Sequence, residues 1–216
     1  PMRHLIWLLP LILQDRTKDL KEACDRMDKV PSYHFTVKVS VEGEEKMSFE
    51  GEFFAPETLH LRNEKMEMVG VGKRRMVKNG EEWKEPGKGA RELKIPHDWV
   101  RKVAEKCGVV KKEKSTKIGT MAVDIYVHTL AHDDARESYE SAGLPLWASV
   151  VDWTKTKNGV LFYIGRDDLV YKVEQRFEGR SKDDKKVDNL IVVEFSGFGK
   201  AKSQIPDEVK EKLGIK

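Results

Sequence analysis

The sequence predicts an α+β protein built on one strongly curved antiparallel β-sheet of about ten to eleven strands, with two or three helices on its concave side. Segments in which apolar and polar residues alternate recur through most of the chain, as they do in half-buried strands. Most of these segments are separated by hairpin-length turns, which join antiparallel neighbours. A long meander must curl because strand twist accumulates, and the amphipathic helices need an apolar surface to cover.

The first half of the chain predicts one helix followed by several strands. Apolar residues at helical spacing predict an amphipathic helix over residues 16–30, which Pro31 ends. Alternation over residues 33–41 predicts the first strand. Asn79-Gly80 is a strong hairpin signal before a short strand at Trp83. The strands predicted between these two cover residues 47–53, 59–61, 64–71 and 73–78.

The second half predicts a further helix and then more strands. Pro96 and Asp98 open the helix, with Asp98 as the N-cap, and Gly108 ends it. The run over residues 111–114 is interpreted as a solvated charged segment and Asn158-Gly159 as a turn. The remaining predicted elements are a polar helix over residues 131–142, strands over 121–127, 147–154, 160–165, 169–178 and 190–195, a charged loop over 180–188 and a last helix over 207–213.

The composition excludes several classes of protein. The chain has 216 residues and a formal net charge of +3, because 40 Lys and Arg nearly balance 37 Asp and Glu. This balance gives no electrostatic case for a nucleic-acid partner, and none is expected. Two cysteines are too few for a structural zinc site of the usual four-ligand kind or for a disulfide-dense scaffold. No apolar run reaches the roughly 18 to 20 residues of a membrane-spanning helix.

The N-terminal segment carries a predicted export signal. Arg3 precedes an apolar run from Leu5 to Leu13, which favours a signal over residues 1–14 and a single domain over residues 15–216. A buried strand or helix start is the alternative. The protein is accordingly expected to be periplasmic or secreted. In an oxidising compartment Cys24 and Cys107 are candidates for a disulfide, but two buried thiols are favoured.

Motifs that carry catalysis or bind cofactors do not occur in the sequence. There is no G-x-S-x-G, no H-E-x-x-H and no Walker loop. His128 and His132 are four residues apart, a spacing that can place two metal ligands on one helix face. His128 is predicted at a strand end, however, and Asp133 or Asp134 is predicted to cap the next helix, so no metal site is predicted. The protein is therefore expected to be no enzyme and to hold no cofactor.

Methionine and aromatic residues are concentrated in the early strands. Methionine is flexible and polarizable, and it is common where a surface adapts to varied apolar ligands. Ordinary core packing is the alternative, and the two-residue period favours it. The residues concerned are Phe35, Met47, Phe49, Phe53, Phe54, Met66, Met68, Met76 and Trp83.

Several segments resemble a known family in their order and spacing. Residues 25–36 place a helix end and a short break before a strand that starts Tyr-His-Phe. Residues 49–62 have a Gly-strand-Pro-strand pattern, and residues 77–86 contain V-K-N-G-E-E-W. These segments resemble the LolA-like periplasmic lipoprotein carriers. Residues 161–165 with 169–174, and residues 193–199 followed by Ile205-Pro206, resemble the related LppX/LprG-type lipoproteins.

The resemblance implies an incomplete, half-open β-barrel over residues 15–216 whose interior binds acyl chains or other lipid. The carriers usually hold an arginine directly before the hairpin proline, where this chain has Ala55. We therefore expect a non-enzymatic carrier for a lipid, an acyl chain or a similar apolar ligand, rather than dedicated lipoprotein hand-off. The alternative on the same fold is an envelope sensor that binds a partner protein. A lipoprotein and transient contact with a membrane surface are further candidate partnerships.

The predicted cavity lies between the sheet and the helix over residues 99–107, which is expected to act as a plug or lid. Each methylene removed from water contributes about 0.8 kcal/mol, so such a cavity could hold an acyl chain without covalent chemistry. Trp99, Val103 and Cys107 are predicted to face the sheet from this helix. The sheet residues predicted to line the cavity are Phe35, Val37, Phe49, Phe53, Met68 and Trp83.

Overall fold

The computed structural model describes residues 15–87, 94–142 and 145–215. The predicted export signal, residues 1–14, lies outside the described residues. The helices in these ranges are α1 (Thr17–Met27), α2 (Pro96–Glu105), α3 (His132–Ser141), α4 (Pro145–Val150) and α5 (Asp207–Leu213). The strands are β1 (Ser32–Val41), β2 (Glu44–Phe54), β3 (Thr58–Arg62), β4 (Glu67–Val71), β5 (Arg74–Asn79), β6 (Glu82–Lys84), β7 (Lys111–Ile118), β8 (Met121–Thr129), β9 (Val151–Gly165), β10 (Val170–Ser181) and β11 (Lys186–Ser196).

The strands of the described residues form one open, eleven-stranded sheet in which neighbouring strands are antiparallel. The strand order is β6-β5-β4-β3-β2-β1-β11-β10-β9-β8-β7, so the first and last strands meet in the middle. At this junction Phe35 lies opposite Phe195, and Val37 lies opposite Val193. The predicted fold class, a curved and half-open antiparallel sheet with helices, is confirmed.

The face of the sheet that carries Phe35 is called the inner face. Because successive strand residues point to opposite faces, the apolar residues of each strand meet on one side. The helices α1, α2 and α3 bury their apolar stripes in the cluster on this face, where the sequence predicts helices. Their residues in this inner cluster are Leu20, Ala23, Cys24, Met27, Trp99, Val100, Val103, Ala104, Ala135 and Tyr139.

A second, smaller cluster lies on the opposite, outer face, where α5 covers strands β4, β5 and β6. Met76 packs there with Val209 and Leu213 of α5. Trp83 belongs to the same cluster because it lies opposite Lys78, which points to the same face as Met76. The structure therefore places Trp83 under α5 and away from α2, which corrects its predicted position on the inner side.

Gly51 of β2 marks a close approach between strands. A Cβ atom at this position would lie 2.2 Å from the main-chain oxygen of His60 and 2.7 Å from Cζ of Phe35. Glycine in a strand interior often marks such a site, because there is no side chain to displace the neighbouring groups. Gly51 thus allows the Phe35 ring to lie across β2 in the inner cluster.

Two features of the second half of the sheet differ from the prediction. Residues 111–118 form the edge strand β7, where no strand was predicted, although the run over residues 111–114 is solvated as expected. Its side chains are almost all exposed, so no apolar alternation marks the strand. The long strand β9 continues through Asn158-Gly159, which predicted a turn, because it pairs with β8 on one side and β10 on the other.

Three boundaries also differ. The N-cap position of α2 is Ile95, so Asp98 lies in the first turn of the helix instead of capping it. Residues 147–150, predicted as strand, belong to α4. The predicted charged loop over residues 180–188 is mostly strand, because β10 runs to Ser181 and β11 begins at Lys186.

Candidate functional site

A cleft of about 710 Å³ opens on the inner side between α2 and strands β3 and β4. This volume falls within the roughly 300 to 1,000 Å³ that ligand pockets occupy. Its apolar wall is formed by Leu59, Gly70, Ile95 and Trp99. The charged and ionisable residues around this wall are Glu57, Lys73, Lys94, His97, Asp98, Arg101, Lys102 and Glu105.

The cleft adjoins an apolar recess of about 90 Å³ that reaches the middle of the sheet. Lys94, Ile95, Trp99 and Ser141 line both spaces, so a ligand could extend from one into the other. The recess alone is far below the roughly 300 Å³ of a small ligand pocket, because the inner cluster fills most of the space under the helices. Its other walls are Val37, Val39, Pro96, Ala142, Ile191 and Val193.

A buried tyrosine–histidine pair joins α2 to β1 beside the cleft. The hydroxyl oxygen of Tyr33 lies 2.7 Å from Nδ1 of His97. The Tyr33 ring stacks on Phe53 with centroids 5.0 Å apart, and the His97 ring meets Phe53 edge-on at 4.9 Å. Burial raises the pKa of Tyr33 and lowers the pKa of His97, so both side chains are neutral at pH 7. Two neutral groups that share a hydrogen bond can be buried without a large desolvation penalty.

Charged contacts join α2 to the neighbouring helices. Arg101 contacts Asp25 at 3.3 Å and also contacts Asp28, which follows α1. Lys106 donates a hydrogen bond of 2.6 Å to Glu137 of α3. Exposed ion pairs contribute only about 0–1 kcal/mol each, so the buried side chains of α2 hold the helix more strongly than its charges do.

Five of the predicted cavity residues lie in or beside the two spaces. Trp99 lines both the cleft and the recess, and Val37 lines the recess. Phe35, Phe53 and Val103 are buried in the inner cluster and line neither the cleft nor the recess. The structure brings these five residues together as one packed unit, of which only Trp99 and Val37 line the cleft or the recess.

The other three predicted residues lie elsewhere. Phe49 and Met68 are half-buried on the inner face and line neither the cleft nor the recess. Trp83 lies on the outer face, as described above. Sequence reasoning missed Lys94 and His97, whose only signal was their nearness to the proline that opens α2: His97 follows Pro96 directly, and Lys94 lies two residues before it.

The described residues contain no group of three or more His, Cys, Asp or Glu side chains placed to hold a metal ion. His128 lies in β8 and His132 in α3, so the two histidines do not share a helix face. Cys24 and Cys107 are both buried and free. Across the same described ranges, no helix has the length and apolar character to cross a membrane.

The open antiparallel sheet with helices along one face is a fold found in solved structures of mycobacterial proteins. The lipoprotein LppX from Mycobacterium tuberculosis aligns with 87% of this chain and 96% of its own, with 12% identity and a TM-score of 0.56. LprF from Mycobacterium bovis aligns with 88% of this chain and 95% of its own, with 12% identity and a TM-score of 0.58. The predicted resemblance to LppX/LprG-type proteins is therefore confirmed as a likeness of fold.

A LolA superfamily protein from Nitrosomonas europaea aligns with 91% of this chain and 97% of its own, with 10% identity and a TM-score of only 0.33. No protein-family model matches the chain. A search of curated proteins gives no match either.

Proposed function

We propose that this protein is a non-enzymatic carrier or binding protein that holds a lipid, an acyl chain or a similar apolar ligand. The observation that carries the proposal is the cleft of about 710 Å³ with its apolar wall and its connection to the recess. A chain lying along Leu59, Ile95 and Trp99 would leave water on one side only. The charged residues around the wall would stay solvated or meet the polar end of the ligand.

The hydrophobic effect alone would make binding depend on chain length. About twelve buried methylenes would contribute roughly 10 kcal/mol at about 0.8 kcal/mol each. Loss of translational and rotational freedom opposes this by roughly 4 to 15 kcal/mol. Short chains are therefore expected to bind weakly, and only long chains to be retained through purification.

The packing of α2 against the sheet determines which ligands could enter without a movement of the helix. Because Trp99 and Val103 of α2 are buried against the sheet, a bulky ligand reaches the recess only if α2 moves outward as the predicted lid. A thin acyl chain could occupy the open cleft with α2 in place. Export to the periplasm or beyond, transient contact with a membrane surface and a lipoprotein ligand belong to the same proposal, which includes no nucleic-acid partner.

One observation favours a second function, a sensor or interaction module that binds a partner protein. The recess holds only about 90 Å³, as expected where the interior serves stability instead of ligand storage. Against this, the large apolar side chains exposed in the described residues are only Val109 and Val150, and they do not make a patch.

Native mass spectrometry tests the two functions against each other. A carrier purified from cells without detergent should show additional mass that organic extraction identifies as lipid. A clean apo mass, together with no binding of an apolar dye, would contradict the carrier.

A substitution that fills the recess, paired with one at an exposed position, provides a second test of the carrier. Ala142→Trp places a large ring at the recess and should weaken binding of long-chain probes. Ala131→Trp, at the exposed position before α3, should leave binding unchanged. Equal binding of the probes by both variants would show that the ligand does not occupy the recess.

A further inference from the structure

One ring nitrogen of His97 contacts a buried tyrosine, and the other lies near the carboxylates of Asp28 and Asp98. His97 lies in the first turn of α2 and lines the cleft, yet its side chain is only 9% exposed. The interior nitrogen, Nδ1, lies 2.7 Å from the Tyr33 hydroxyl. The neutral ring carries a single proton, and the nitrogen that holds this proton decides whether the second nitrogen, Nε2, is a hydrogen-bond donor or an acceptor.

Tyr33 fixes that proton. Its hydroxyl is fully buried, so it must use its own proton in a hydrogen bond, and Nδ1 of His97 lies within reach as the acceptor. With Nδ1 accepting, the ring carries its proton on Nε2 and offers an N–H donor.

That donor has no close acceptor among the described residues. The nearest carboxylate oxygens, Oδ1 of Asp98 and Oδ1 of Asp28, lie 3.8 and 3.9 Å from Nε2, beyond hydrogen-bond distance. Nε2 is not fully buried, so water can solvate this donor, and a ligand oxygen that enters the cleft would take the place of that water. The same two carboxylates would repel a negatively charged ligand group at this point, and they leave a neutral oxygen as the better partner.

We propose that Nε2–H of His97 anchors the carbonyl oxygen of an esterified acyl chain in the cleft, with Tyr33 as the positioning residue that sets the tautomer. The proposal rests on the proposed function and names its ligand class: neutral ester lipids in preference to free fatty acids or plain hydrocarbon. The chain of such a ligand would run from His97 along Trp99 toward the recess.

Displacement of an apolar dye by three probes of equal chain length tests the anchor: methyl palmitate, palmitic acid and hexadecane. We expect the ester to bind about tenfold more tightly than the hydrocarbon, which is the value of one good hydrogen bond. His97→Phe should abolish this preference. His97→Gln, which retains an N–H donor, should restore part of it, and His132→Gln at the exposed start of α3 should match the wild type.

Nitrogen-15 NMR of the histidine rings shows which ring nitrogen is protonated, and it can be measured on the wild type, so the test does not require that a variant fold. The wild type should show His97 protonated at Nε2, and methyl palmitate should shift that signal whereas hexadecane should not. Tyr33→Phe should release the tautomer preference.

Different results would overturn the ester anchor alone or the carrier function as well. An Nδ1-protonated ring, or equal binding of ester and hydrocarbon, overturns the anchor and leaves the carrier standing. Displacement by none of the three probes overturns both.

Discussion

The indole Nε1 of Trp99 donates a hydrogen bond of 3.2 Å to the main-chain oxygen of Ser138. This bond joins the ring in the cleft wall to α3, and both groups are buried. Moving α2 alone would strip a buried donor of its partner, which costs roughly 1 to 3 kcal/mol. If α2 opens as a lid, α2 and α3 are therefore expected to move together.

Substitution of two tryptophans on opposite faces of the sheet should separate effects on stability from effects on ligand binding. Trp99→Ala and Trp83→Ala each remove a buried ring, and each should lower the free energy of unfolding by roughly 3 to 5 kcal/mol in urea titrations. Only Trp99→Ala should also change binding of an acyl probe, because Trp83 lies under α5. A binding defect in Trp83→Ala of the same size would contradict the placement of the cleft.

Two strand glycines form a second matched pair. Gly51→Ala should destabilise the protein by several kcal/mol, because the new Cβ would collide with the main-chain oxygen of His60 at 2.2 Å. Gly159→Ala meets no atom within 4 Å and should be neutral or stabilise by about 0.4 to 1 kcal/mol. Thermal unfolding followed by circular dichroism measures both, and equal melting temperatures would contradict the close approach at Gly51.

The pH dependence of the free energy of unfolding should reveal the protonation of a buried histidine on the outer face. His60 is 1% exposed, with Nδ1 3.0 Å from Oε2 of Glu52 and Nε2 3.0 Å from Oε1 of Glu67. Burial alone would lower the pKa of His60, but the two carboxylates outweigh burial and raise it above 6.5. Since the folded-state pKa is the higher one, the stabilisation is complete below about pH 6.5 and is lost as the pH rises through the raised value.

Urea titrations of the wild type and of His60→Gln at several pH values measure this contribution. The difference in free energy of unfolding should shrink as the pH is raised from about 6.5. His132→Gln, on the exposed end of α3, is the matched control at each pH. A difference that grows with pH would reverse the assigned direction.

The two cysteines should be unreactive in the folded protein. Burial raises the pKa of both the Cys24 and the Cys107 thiol to about 12, so little thiolate exists at pH 8. Ellman's reagent should label them far more slowly in buffer than in urea, where both should react at once. Rapid labelling of the native protein would show that α1 and α2 separate readily.

The helices and most strands could be predicted because burial imposes a period on the sequence. The helix α1 and the strand β1 each have an apolar face and a polar one, and both lie close to the predicted ranges. The edge strand β7 could not be found in this way, because it has neighbours on one side only and its residues face water on both faces.

Local turn chemistry misled the prediction where tertiary pairing overrides it. Asn158-Gly159 resembles a hairpin turn, but Asn158 is 1% exposed and lies opposite Phe177, while Gly159 lies opposite Thr129. Pairing on both sides keeps β9 extended through these residues.

The candidate site was only partly predictable from the sequence. Trp99 lies on the apolar stripe of α2, so helical spacing indicates that it faces the sheet. The partnership of His97 with Tyr33 joins residues 64 positions apart, and no local pattern reveals it. The cleft itself arises from the way α2 crosses β3 and β4, which depends on packing across the whole inner face.

The junction between β1 and β11 has a consequence for how the chain folds. Residues 34–41 pair with residues 189–196, so the centre of the sheet cannot assemble on the ribosome until the eleventh strand has emerged. Until then β1 has a free edge, which can pair wrongly or recruit another nascent chain. Refolding should be slow for the protein's size, because such distant segments must meet before the sheet is complete.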